Sequence, residues 1–176
     1  MWSMPITPDA KNWTWVLDRA CPECGFDAQT IQGPDVADLL RREAAVWPVV
    51  LDRESVAERP DENTWSALEY AAHVRDVVRL GDYRTGLMLT EDDPEFANWD
   101  QDATAVAERY NEQDPRVVAA ELVAAAESLA ARLDSVHGHQ WQRPGRRGDG
   151  ASFTVDSFAR YTLHDVVHHG WDVRAG

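Results

Sequence analysis

Three histidines carry the strongest chemical signal in this chain: His73 in the run WSALEYAAHVRDVV, and His164 and His168 in YTLHDVVHHGWDV. Residues four apart on a helix share one face, so His164 and His168 can direct their imidazoles to a single ion. A bundle that brings His73 to the same point makes a three-nitrogen site. Neutral imidazoles suit zinc, nickel or iron, whereas calcium and magnesium prefer oxygen. Three protein ligands leave a position open, and an ion there can lower the pKa of water or a thiol, or polarise a carbonyl.

The neighbours of these histidines are the next candidates. Asp165 and His169 crowd the last segment with polar groups, and Tyr161 and Asp172 lie about one turn to either side of the pair, placed to orient a ligand or touch substrate. Tyr161 and Asp165 are the candidate catalytic groups. Glu69 precedes His73 by one turn and Asp76 follows by nearly one. Either carboxylate can accept from the second ring nitrogen of His73 and fix its tautomer. A lone histidine at such a position is more often a satisfied core residue, so His73 gains its meaning from the other two.

Cys21 and Cys24, in CPECG, look like one knuckle of a zinc ribbon without the second cysteine pair. Three readings stay open: a redox pair, a second metal site completed by residues such as His137 or His139 or by another subunit, or two reduced thiols in a turn. A structural disulfide is disfavoured in a reducing compartment.

The elements that must position these residues are helices. Apolar spacing in DVADLLRREAAVWPVVLD predicts a first helix from Asp35, bent or interrupted at Pro48, which lacks an amide proton and clashes one turn back. Ser66 and Glu69 offer a capping box for a second helix running toward Leu89. Asp114 followed by Pro115 starts a third, continuing through RVVAAELVAAAESLAARLDSV, and a last helix runs from about Ser152–Thr154 to Val173. Residues 91–114 hold nine acids and one base, with a short helix expected through ATAVAERY. No set of alternating strands stands out. The expectation is an all-α four-helix bundle over residues 35–174 with long connections, preceded by an irregular arm over residues 1–34 that carries the CPECG turn.

At 176 residues, 44% of them apolar, the chain can bury one good core. A formal net charge of -14 disfavours nucleic acid and anionic lipid, and no stretch has the length of a membrane span or the pattern of a signal peptide, so a cytoplasmic protein is expected. Eight tryptophans are many for this length; most are expected as core or bundle-end anchors, and those near an open cavity are candidates to line it.

His73 in mid-helix and HDVVH in the last helix of a four-helix chain resemble the DinB-like, or YfiT-like, metal-dependent superfamily over about residues 35–174. The resemblance implies a bundle in which one histidine of the second helix and two of the last hold a metal, by position His73, His164 and His168. It further implies, from branches such as the mycothiol-dependent maleylpyruvate isomerases, that a low-molecular-weight thiol such as mycothiol, bacillithiol or glutathione is activated at the metal and attacks a small electrophile. Arg143, Arg146 and Arg147 are then candidates to hold a carboxylate of the thiol or substrate, although a solvated loop is the plainer reading. A thiol transferase or isomerase is the preferred expectation. A non-enzymatic metal-binding or stress-response protein and a metal-assisted hydrolase are the alternatives, and either a monomer or a homodimer is compatible with the sequence.

Overall fold

The computed structural model describes residues 5–8 and 12–174. Six α-helices occur among them: α1 (Val36–Ala44), α2 (Trp47–Leu51), α3 (Ala67–Thr90), α4 (Gln101–Ala107), α5 (Pro115–Asp134) and α6 (Val155–Arg174). Pro48 falls in the first turn of α2, where its missing proton costs nothing, so the first arm of the bundle is a helix broken in two. Helix α3 begins at Ser66, whose side chain accepts from Glu69 N while the Glu69 carboxylate accepts from Ser66 N. Asp114 caps α5 by accepting from Arg116 N and Val117 N, with Pro115 at the first helical position.

Helix α5 packs between α1 and α3, and α6 packs between the same two on the other side. Helices α1 and α3 therefore sit across the bundle diagonal, as do α5 and α6, although each pair is consecutive among the long helices. Such pairs cannot be joined by tight turns, which accounts for the long connections over 52–66 and 135–154. The shared core contains Leu40, Trp47, Leu68, Val78, Leu122, Leu129 and Leu163, all buried. Gly81 lets α3 approach α6 closely, since a Cβ there would lie 3.0 Å from Thr162 Cγ2.

A small sheet that the sequence did not announce closes one end. β1 (Glu95–Phe96) pairs in parallel with β2 (Pro144–Arg147), which pairs antiparallel with β3 (Ser152–Thr154). It covers a second apolar cluster of Met88, Phe96, Val136, Phe153, Val155 and Phe158. Gly145 in β2 is required by this contact, because a Cβ would come within 2.7 Å of Phe96 Cζ and 2.8 Å of Met88 Cγ.

The described part of the N-terminal arm is a set of 3-10 turns, Trp13–Leu17, Ala28–Thr30 and Gly33–Asp35, and it packs into the bundle more deeply than an arm laid over a finished core. Val16, Cys21, Phe26 and Ala28 are all buried. Residues 1–4 and 9–11 of the expected arm lie outside the described residues.

Candidate metal centres

Helix α6 carries two interleaved pairs of residues at four-residue spacing: His164 with His168, and Asp165 with His169. Successive helical residues are about 100° apart, so the pairs form adjacent stripes facing different neighbours. The structure assigns one stripe to α3 and the other to the arm. His73, Asp165 and His169 bring one ligand atom each within 4.8 Å of one another, and Cys21, Cys24, His164 and His168 do the same. The three histidines grouped from sequence are thus divided between two clusters, because His164 and His168 face the cysteine turn while the stripe one residue on faces His73.

In the first cluster, Asp165 lies between two imidazoles. Its Oδ1 is 3.0 Å from His169 Nε2 and its Oδ2 3.8 Å from His73 Nε2. Burial pushes the Asp165 carboxyl up, but His169 and His73 outweigh it and hold the group well below the usual carboxylate range. The opposite side of His169 is tied down, with Nδ1 2.8 Å from Asp172 Oδ2. Burial pushes His169 down, yet Asp165 and Asp172 together bring it up to about 9 in the metal-free protein.

His73 is 1% exposed, and burial holds its pKa below the ordinary value, so the ring is neutral as a metal ligand must be. Its Nδ1 is buried without a hydrogen-bond partner among the described residues, and the 3.8 Å from Nε2 to Asp165 is too long for a hydrogen bond. One buried ring nitrogen without a partner among the described residues costs about 1–3 kcal/mol, and the Nε2 side, facing Asp165 and His169, has room for an ion or water. Two imidazoles and a carboxylate fit a divalent transition ion, with coordination positions left over.

The carboxylates expected to orient His73 have other partners. Glu69 is fully buried and takes a two-pronged contact from Arg59, Nε to Oε2 at 2.8 Å and Nη2 to Oε1 at 2.5 Å, besides closing the α3 cap. Asp76 accepts from Tyr110 Oη at 2.5 Å and from Arg75 Nε at 2.8 Å. Both fasten α3 to its surroundings. Asp165, expected as a catalytic group, belongs instead among the metal-binding candidates.

Asp165 and His169 of this cluster line a cavity of about 630 Å³ whose wall also includes Trp65, Tyr70, Trp99, Arg84, Arg147 and Tyr161, with the His73 ring buried behind it. Trp99 stacks on His73 with ring centroids 5.8 Å apart and planes inclined by 9°, while Tyr70 covers His169 at 5.1 Å. Of the three arginines singled out from sequence, only Arg147 lines the cavity. Arg143 donates to Met88 O at 2.6 Å and to Glu91 O at 2.7 Å, and Arg146 pairs with Asp93 and Glu95, so both hold the closing sheet in place. Arg147 is paired with Asp149 and donates to Tyr161 Oη at 3.0 Å. Burial raises the Tyr161 pKa against the opposing effect of Arg147, so the phenol keeps its proton and can donate it. Arg84, absent from the sequence reading, is 8% exposed, donates to Ala97 O at 2.7 Å and has no ion-pair partner among the described residues. Burial lowers its pKa and the nearby Arg147 lowers it further. Its signal in the sequence was one arginine in the inward half of a helix, indistinguishable from a snorkelling surface residue.

The second cluster lies between the arm and α6, and its His164 and His168 border the same cavity. The Cys21 turn is closed by Cys21 N donating to Phe26 O at 2.8 Å and Gly25 N donating to Cys21 O at 2.9 Å. Gly25 sits at φ 76°, where glycine alone carries no penalty. Cys21 Sγ lies 3.7 Å from His168 Nδ1, and neither cysteine is in a disulfide. Burial pushes the Cys24 thiol up to about 11 in the absence of a cation. His137 instead takes part in a capping box over Gly138–Gln142 and does not join the cysteines.

A helical bundle with two metal-competent clusters on its last helix defines the class of protein. The chain belongs to the DinB superfamily, whose family model matches residues 37–173. Among solved structures it is similar to YfiT from Bacillus subtilis, with a TM-score of 0.71 and 16% identity over 97% of this chain and 93% of that one. That protein is described as a probable metal-dependent hydrolase with an unusual four-helix bundle topology, and at this identity the likeness is one of fold. No curated protein sequence matches the chain. No described helix is long and apolar enough to cross a membrane.

Proposed function

We propose that the protein is a divalent-metal-dependent enzyme that uses a low-molecular-weight thiol to transfer to, or isomerise, a small acidic electrophile. The observation that carries this reading is the meeting of His73 with Asp165 and His169, the last two lining a cavity that Arg84 and Arg147 also line. A divalent ion held by these three residues supplies the acidity that turns a thiol, or a water, into a nucleophile near neutral pH.

The chain's own groups do the rest. Asp172 holds the Nδ1 proton of His169 and so presents Nε2 to the ligand side. Trp65, Tyr70 and Trp99 keep water from the rings they cover and strengthen every charge interaction inside. Arg84, which has no ion-pair partner among the described residues, offers its guanidinium to a carboxylate, and the planar donor geometry orients that group as well as binding it. Tyr161, polarised by Arg147, donates a proton to an oxygen on which negative charge builds. The volume of about 630 Å³ lies within the range that small-molecule sites use.

Metal-assisted hydrolysis is the second reading, favoured by the likeness to YfiT. The metal-loaded protein is to be assayed on carboxylate-bearing electrophiles and esters, with and without mycothiol, bacillithiol or glutathione. Turnover only with thiol is expected. Turnover that ignores thiol assigns hydrolysis, and none in either condition with metal bound overturns the catalytic reading in favour of a non-enzymatic metal-binding protein.

A further inference from the structure

We propose that Cys21, Cys24, His164 and His168 form a second metal site, a coordinatively closed zinc centre that fastens the N-terminal arm to the last helix. This site goes beyond the catalytic reading and does not depend on it.

Two thiolates and two imidazoles are the donor set of structural zinc, which takes four such ligands in a tetrahedron and leaves no open position. The local spacings agree. Two residues separate the cysteines and three separate the histidines, the separations that suit a knuckle and one helical face. The long interval between the pairs hides the motif from any short sequence pattern.

Geometry supports the same assignment. All four residues bring a ligand atom within 4.8 Å of one another. Zinc–sulfur and zinc–nitrogen bonds of about 2.3 and 2.05 Å at the tetrahedral angle put sulfur and nitrogen about 3.6 Å apart. Cys21 Sγ and His168 Nδ1 are 3.7 Å apart. His164 is 4% exposed and its Nε2 is buried without a hydrogen-bond partner among the described residues, a cost that a ring held in a zinc-bearing cluster accounts for better than one in an empty cluster.

The surroundings exclude solvent on the arm side. The Trp13 ring lies 5.5 Å from that of His164 and 5.1 Å from that of His168, and Phe26 lies 5.4 Å from His164. On its other nitrogen, His168 Nε2 faces Glu23 at 3.6 Å and Asp172 at 4.0 Å, acceptors that favour the tautomer with Nδ1 free to ligate. Asp172 thereby stands between this site and the His73 cluster, since it also holds His169.

The test begins with the intact protein purified without chelator. Elemental analysis is expected to give two ions per chain. Cobalt replacement is expected to produce the intense sulfur-to-cobalt charge-transfer absorption of a thiolate site. The Cys21→Ser/Cys24→Ser double variant should lose that absorption and one ion while keeping the other. His73→Ala should keep the absorption and lose the other ion, so failure of either site is read separately from failure of its neighbour. Should the double variant not fold, alkylation of the wild-type protein decides: both thiols should resist reagent until a chelator is added. Thiols that react at once in the metal-loaded protein, a cobalt form without the thiolate absorption, or a Cys21–Cys24 disulfide in the freshly isolated protein would each overturn the proposal.

Discussion

Asp172 is one carboxylate with two neighbours, accepting from His169 at 2.8 Å and standing 4.0 Å from His168. Removing an outer partner of a ligating histidine weakens metal binding by roughly 10–100-fold. Asp172→Ala is therefore expected to lower zinc affinity at the His73 cluster by that factor, measured by competition with a chromophoric chelator, while the helix itself stays folded. Arg84 gives a second prediction. A hydrogen bond to a charged group contributes about 1.5–3 kcal/mol, and each 1.4 kcal/mol is tenfold. Arg84→Gln should raise KM for a carboxylate-bearing substrate by roughly 10-fold or more with little change in kcat, and an uncharged analogue of that substrate should not feel the change. At this scale the sequence disclosed His73 and the HDVVHH cluster but not their partition. The pairs 164/168 and 165/169 have identical spacing, and nothing local says which stripe will face α3.

Among the elements, the start of α3 is held by a part-buried ion pair between Arg59 and Glu69. The Glu69 side chain is 1% exposed and that of Arg59 16%, and removing Glu69 loses a charge-assisted contact of about 1.5–3 kcal/mol together with the α3 cap. Glu69→Ala should lower the denaturation midpoint accordingly, with unchanged slope in a urea titration. A quite different element, the turn before α1, leaves no room at Gly33, where a Cβ would meet Trp141 Cζ3 at 2.5 Å and Asp156 Oδ1 at 2.7 Å. Gly33→Ala should destabilise by about 1–3 kcal/mol through overpacking, read in the same titration. The long helices were legible because their caps are local: Ser66 with Glu69, and Asp114 with Pro115, announce themselves within a few residues. The sheet was not. Its strands span two to four residues, and β2 reads Pro-Gly-Arg-Arg, which shows no alternation; only partners distant in the chain make it a strand.

For the whole molecule, ions that bind the folded chain alone stabilise it by mass action, about 4 kcal/mol for each site held at a thousandfold excess over Kd. For a chain of this length that corresponds to roughly 8–16 °C in Tm per site. A strong chelator should lower Tm by at least that amount, and re-addition of zinc should restore it, as followed by calorimetry. Of the bundle topology, the number of long helices and their long connections were readable, but not which helices face each other. That α1 and α3 lie across a diagonal follows from packing among distant segments, which no spacing within either helix encodes.

Cys21 and His168 touch although 147 residues separate them. A ribosome making this chain therefore releases the cysteine turn long before the helix that receives it exists, and at about 5–20 residues per second the delay is on the order of ten seconds. Through that interval both thiols are exposed to oxidants and stray metal, and only the arrival of α6 shelters them. Chains halted short of α6 should accordingly label with thiol reagents where completed ones do not, so that the reactivity of one early turn reports whether synthesis has reached the last helix.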